Sequence, residues 1–348
     1  MPGKAFSSLK LIAVFILFSG IYECYAQALN PDSLMNKMEE FSNFILYRNQ
    51  DTTYIKNHSD KFVLKLIGVN KFNYFKIKDK GEDASLRYRP DRRLNLGIGF
   101  SYKWFALDLA FNVGLNENSD FQNSKYFDFQ GNIFSSRQFI SATYQYYYGY
   151  QINKINGVNT EDYPESSIRD DVRTIYLGLE YLFALNYDKF SLKAPFIHNE
   201  IQRKSAGSFL LGAGFNMFTL DADSTIVPSE VLSDFNQKLH LTGLNTTSAA
   251  INFGYMYTFV WKEHFYVTLS AIPGLGINSG DYKTDYRQSF KTHLYIGFKT
   301  LSSIGYNSDK FFGGIQVSGD TFRTRIDKQL NVIAGLGKVK FFIGYRFR

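Results

Sequence analysis

Ten titratable residues share one placement: Lys65, Arg93, Asp108, Asp128, Glu180, Lys193, His293, Lys299, Lys338 and Lys340. Each falls at a position where apolar residues alternate with small or polar ones, on the small or polar parity. Arg346 falls there too, so apart from His293 seven bases meet three acids. If these side chains are enclosed together, each charge must be paired or wet. Two chemistries fit such a set: a network of ion pairs and hydrogen bonds that fills an interior, or a weakly anion-preferring passage.

Catalytic and cofactor patterns are sparse. The histidines His58, His198, His240, His264 and His293 show neither HExxH nor any close ligand spacing. Only His293 lies on a clear strand facing inward, so a Ser/His enzyme acting on lipid would use His293 with a serine that the spacing does not identify. No GxSxG elbow occurs. Gly97-Ile-Gly99 and Gly212-Ala-Gly214 lack the third glycine and following helix of a dinucleotide site, and read as small inward-facing strand residues. The expectation is a chain without catalytic site, cofactor or metal.

The elements that would position these charges are strands. Leu94, Leu96, Ile98, Phe100 and Tyr102 alternate with Asn95, Gly97, Gly99 and Ser101. After Lys103 and Trp104 the pattern restarts as Phe105, Leu107, Leu109, Phe111 and Val113. Period two on both sides of a tight turn predicts a hairpin with Tyr102 opposite Phe105. The second face is small and mostly neutral, as in a barrel that presents its bulky face to lipid.

The remaining chain repeats this grammar from Lys61 onward. A tyrosine run from Tyr144 to Tyr150 on one parity predicts an outward aromatic girdle. Short turns at Lys103-Trp104, Ser135 to Arg137 and Trp261 to His264 alternate with longer polar loops such as Asn116 to Ser124, which places the short turns on the periplasmic side. Phe190 to Phe196 reads as a rising strand and Ser208 to Leu220 as a descending one. A traverse is then missing before Thr247; Lys238 to Leu244 supplies it in a count of about 14 strands, and the alternative count is 12, since such barrels have even numbers.

Met1 to Ala26 reads as a secretory signal peptide, with Lys4 and Lys10 before an apolar run that is too short to span a bilayer. Its removal takes away Cys24, the only cysteine. Residues 27–60 read as a periplasmic segment with a short helix from Asn30 to Arg48, and 61–348 as the barrel. The chain is 45% hydrophobic and 18% aromatic, yet no later run approaches the roughly 18 apolar residues of a spanning helix. The formal charge of +7 is spread without a long basic block, which together with export argues against a nucleic-acid partner.

Several stretches resemble an uncharacterised outer-membrane barrel family of Bacteroidetes, a domain of unknown function. They are DTTYI (51–55), LGIGFSYKWFALDLAF (96–111), QRKSAGSFLLG (202–212), DSTIVP (223–228), GYMYTF (254–259) and PGLGI (273–277). The resemblance implies the cell outer membrane and carries no activity with it. Penultimate Phe347 departs slightly from the terminal-aromatic pattern read by the barrel-assembly machinery. The expected partners are that machinery and outer-membrane lipid, with a small solute or an envelope protein as further candidates. The functional expectation is a structural or solute-passage barrel. Its alternatives are a scaffold for envelope or secretion partners, built on the N-terminal helix and the Asp221 to Asn236 insertion, and the lipid-modifying enzyme above.

Overall fold

The computed structural model describes residues 50–90, 94–102, 105–112, 124–156, 158–159, 168–228, 235 and 240–347. The expected signal peptide, the expected helix from Asn30 to Arg48, and Arg93 lie outside them. In chain order the strands are β1 (Ile55–Asn57), β2 (Val63–Asp79), β3 (Ala84–Arg89), β4 (Leu94–Tyr102), β5 (Phe105–Asn112), β6 (Lys125–Phe134), β7 (Gln138–Ile155) and β8 (Val158–Asn159). They continue as β9 (Ile168–Ala184), β10 (Glu200–Gln202), β11 (Ala206–Asp221), β12 (Gly243–Trp261), β13 (Phe265–Lys283), β14 (Arg287–Asn307), β15 (Phe311–Arg325) and β16 (Leu330–Arg346). Among the described residues there is no helix.

Ten strands close a ring in the order β2, β3, β7, β9, β11, β12, β13, β14, β15, β16, and β16 pairs back onto β2 from Arg346↔Val63 to Leu330↔Asp79. Closure removes the free edges that an open sheet would leave. Alternation decides what faces out: Leu66, Phe111, Ile251, Leu294, Ile296 and Ile343 are each more than half exposed. So broad an apolar exterior is what hydrocarbon requires and water disfavours.

The ring holds ten strands where the sequence pattern predicts about 14 or 12. Phe190 to Phe196 is not a traverse but a buried series of turns, and Pro195 within it cannot donate to a ladder. β11 therefore starts at the same end of the barrel where β9 stops, and pairs with β9 from Leu210↔Ala184 to Asp221↔Arg173. It runs opposite to the direction expected for Ser208 to Leu220. It then hairpins directly onto β12, and no strand intervenes among residues 240–242.

Between β2 and β7 the wall is divided by height. At the long-loop end, β3 alone joins them, pairing with Phe75 to Asp79 and with Gln151 to Ile155. At the short-turn end, β4 takes over the edge of β2 from Val63 to Asn70 and carries β5, while β6 takes over the edge of β7. Tyr102↔Phe105 is the last pair of the β4–β5 hairpin. β4, β5, β6 and the two-residue β8 bring the sheet to fourteen strands without entering the ring.

The change of partner on β7 falls at Gly149, whose φ of +88° a side chain would strain. The register shifts there, between Tyr148 and Tyr150. Such a bulge reverses the parity beyond it. Tyr144, Tyr146 and Tyr148 are half-buried and face out as expected, but Tyr150 points inward, fully buried, with its hydroxyl 2.6 Å from Thr174 Oγ1.

Candidate binding cavity

Both ends of the barrel are filled by its own chain. At the long-loop end an apolar core built from β2, β3, β7, β9, β11, β12, β14, β15 and β16 surrounds Ile226 and Val227 of the loop after β11. Tyr88 donates to Ile226 O, and Arg169 Nη1 donates to Thr225 O at 2.9 Å while its guanidinium pairs with Asp171 at 2.7 Å.

At the short-turn end, residues 185–205 fold across the opening. Inward residues of several strands hold their backbone. Ser101 Oγ donates to Ile197 O, Gln316 Nε2 to Pro195 O and Phe196 O, Asn307 Nδ2 to Ala194 O and Glu200 O, and Arg346 Nε to His198 O. The His198 ring stacks on Phe312, and Phe196 stacks on Phe134. β10 in this segment pairs with β1, and Lys56 and His58 meet Asp309 in the β14–β15 turn at 2.7 Å and 3.1 Å. The Lys56 hydrogen bond holds the Asp309 carboxyl down at about 2, and burial holds the His58 ring below its usual value.

Between these two fillings lies a cavity of about 710 Å³. Five lysines, Lys65, Lys71, Lys299, Lys338 and Lys340, and four carboxylates, Asp108, Asp128, Glu180 and Asp320, line it. Asp108 bridges Lys65 at 2.7 Å and Lys340 at 2.9 Å. Lys299 bridges Glu180 at 2.8 Å and Asp320 at 2.7 Å. Asp128 pairs with Lys71 at 2.9 Å and accepts from Gln145 and Tyr147. Lys338 donates to Gln130 instead and has no carboxylate within 4 Å among the described residues.

Thus Lys65, Asp108, Asp128, Glu180, Lys299, Lys338 and Lys340 meet in one cavity. Lys193 does not join them. It lies in the buried segment at the short-turn end, paired with Glu200 at 3.2 Å, because the stretch that carries it is not a strand. Arg346 is an anchor of that segment. His293 shares the parity of inward Tyr295, is half-buried near the long-loop end, and does not line the cavity. Lys71 and Asp320 complete the cavity, and both obey the alternation that marks Lys65 and Gln316. Among the described residues no group of His, Cys, Asp or Glu side chains has a metal-holding arrangement.

The profile of the family described as Domain of unknown function (DUF4421) matches residues 49–347. The chain belongs to the DUF4421 family. In this DUF4421 protein, DTTYI and QRKSAG meet through β1 and β10 beneath the short-turn end, and DSTIVP supplies Ile226 and Val227 to the core at the other. No curated protein matches the chain in sequence.

Solved structures similar to it include the outer membrane protease OmpT from Escherichia coli, with 7% identity, TM-score 0.38, and coverage of 84% of this chain and 98% of that one. The toluene transporter TodX of P. putida aligns at 6% identity and TM-score 0.23 over 86% and 94% of the two chains. Ail, the attachment invasion locus protein of Yersinia pestis, aligns at 11% and 0.17 over 83% and 99%. At these scores the likenesses carry no argument about what this DUF4421 protein does.

Proposed function

We propose that this chain is an outer-membrane β-barrel that is shut to through-passage and holds a ligand in a lysine-rich internal site. The observation that carries this reading is residues 185–205 laid across the lumen and bonded to β4, β14, β15 and β16. An open solute pathway would need water where that segment and the opposite apolar core now sit. The ion pairs of the cavity satisfy most of its charges internally, as a barrel filled by its own side chains requires. The short turns then face the periplasm and Met1 to Ala26 direct export. The His198 ring is enclosed by Phe312 and Phe342, with the Tyr266 hydroxyl 3.5 Å from its Nε2, and we read it as packing of the short-turn end rather than as a catalytic pair.

The test is current through the refolded full-length protein in planar bilayers. No steady conductance is expected from the wild type, and brief openings are expected once Arg346→Ala and Gln316→Ala release the segment. A steady ohmic current from the wild type would overturn the reading.

A further inference from the structure

The cavity has a third boundary, and it is open. Among the described residues β5 pairs only with β4 and β6 only with β7, so from Ala106 to Phe111 and from Phe127 to Ile133 the facing edges of β5 and β6 carry no ladder bonds to each other. The lining of the cavity runs without interruption through residues 106–112 of β5 and 126–132 of β6, both parities included. The cavity therefore reaches the seam and passes between the two edges.

Unbonded backbone at membrane depth is stable only where it borders a cavity or a polar occupant, since each unsatisfied group in hydrocarbon costs several kcal/mol. On the outer side the seam is flanked by Leu109 and Phe111 of β5 and by Phe127 and Phe129 of β6, all strongly exposed. On the inner side stands Lys338, the cavity lysine held by an amide rather than a carboxylate.

Resting on the ligand-holding reading above, we infer that the β5–β6 seam is a lateral entrance through which an acidic amphiphile from the bilayer seats its headgroup at Lys338 and leaves its acyl chain between Leu109, Phe111, Phe127 and Phe129. Three features select this occupant. The two axial ends are stoppered by the chain itself, so arrival is from the lipid. The flank is apolar and aromatic, so the trailing part is a hydrocarbon chain. The inner end offers an ammonium group and the Gln130 amide, so the leading part is an anion that takes a charge-assisted hydrogen bond. A volume of about 710 Å³ is of the size that holds a small molecule, ~300–1,000 Å³.

The experiment uses the full-length protein in phosphatidylcholine vesicles with dibromostearate as quencher and its methyl ester as the uncharged control. A Phe129→Trp reporter stands at the seam and an Ile296→Trp reporter on β14, remote from it. At the seam, quenching by the acid is expected to saturate at low acid-to-lipid ratio, and at position 296 to rise only in proportion to acid dissolved in the bilayer. The ester should give proportional quenching at both. Adding Lys338→Gln to the seam reporter should weaken the saturable phase roughly tenfold, the scale of one hydrogen bond to a charged group. Equal, proportional quenching at both positions, or equal saturation by acid and ester, would overturn the inference. A seam reporter shielded from both probes, as when a second chain closes the gap, would overturn it as well. Bilayer conductance is measured separately, so a silent barrel without the saturable phase defeats the lateral site alone, and a conducting one defeats the closed barrel.

Discussion

Lys340 Nζ lies 2.9 Å from Asp108 Oδ2, although 232 positions separate the two residues. The pair crosses the lumen from β16, in the closed ring, to β5, whose other edge pairs with no strand among the described residues. Lys65 reaches the second oxygen of the same carboxylate from β2 at 2.7 Å. One acid thus ties the edge hairpin to the ring, and Gly99 makes room for it, since a Cβ there would collide with Asp108 Oδ1 and the Lys65 side chain.

Asp108→Ala leaves two lysines enclosed without their shared partner. Removing one side of a buried pair is expensive, so the variant should lose about 3 kcal/mol against the wild type in denaturant unfolding from detergent micelles. Replacing Lys65, Asp108 and Lys340 together by Met, Leu and Met should restore most of that loss. An Asp108→Ala protein as stable as the wild type would contradict the role given to this carboxylate.

Acid should loosen the N-terminal clamp in two stages. His58 has a lowered value in the fold, so the unfolded segment binds more protons below about 6.5, and the stability it confers is full above that pH and declines as pH falls through it. Asp309 is held near 2 against 3.8 unfolded, so the Lys56–Asp309 contribution is complete above about 4 and is lost toward pH 2. Burial dominates for His58; Asp309 opposes it, and Lys61 and Arg346 nearby reinforce it. The protection of amides 50–61, with the intrinsic pH dependence of exchange divided out, should fall between pH 7 and pH 5. His58→Gln should flatten that stage and leave the lower one in place.

Arg346 donates to three acceptors at the short-turn end: His198 O, Ser308 O and Asn307 Oδ1. Arg346→Ala should cost roughly 2–3 kcal/mol, because buried carbonyls lose a charged donor. Limited proteolysis should then cut within residues 190–200 while the strands stay protected. Uniform resistance across that segment would show that the guanidinium does not hold it.

Gly149→Ala tests the bulge. A side chain at φ +88° is strained, and its Cβ would come within 3.1 Å of the Ser124 backbone. A destabilisation of about 1–2 kcal/mol is expected from the conformation alone. The thermal midpoint should fall while the barrel remains resistant to cold detergent; an unchanged midpoint would mean that the bulge tolerates a side chain.

Alternation made the barrel and most of its lumen readable, because lipid outside and small or paired residues inside impose period two on every long strand. Lys65, Asp108, Asp128, Glu180, Lys299, Lys338 and Lys340 were legible for that reason. Lys193 was not, since Phe190 to Phe196 alternates like a strand yet folds as turns whose neighbours on every side are protein. Ser191 within it and His198, Asn199 and Glu200 just after it are fully buried, and period two cannot tell this environment from a membrane wall. The parity reversal at Tyr150 turned on one glycine conformation, and the division of the wall between β3 and the β4–β5–β6 group turned on which edges meet. Neither leaves a local mark in the chain.

Residues 190–202 fill the short-turn end of the barrel and are buried there, and a pair of cysteines reads that placement. Phe134 of β6 and Phe196 of that segment stack with ring centroids 5.5 Å apart. Phe134→Cys combined with Phe196→Cys, in a full-length chain whose only other cysteine, Cys24, lies in the expected signal peptide, should be joined by a short thiol-to-thiol reagent in intact membranes, while the barrel keeps its heat-modifiable migration. Two cysteines that never join, with the one at position 196 freely labelled by a membrane-impermeant maleimide, would contradict the account.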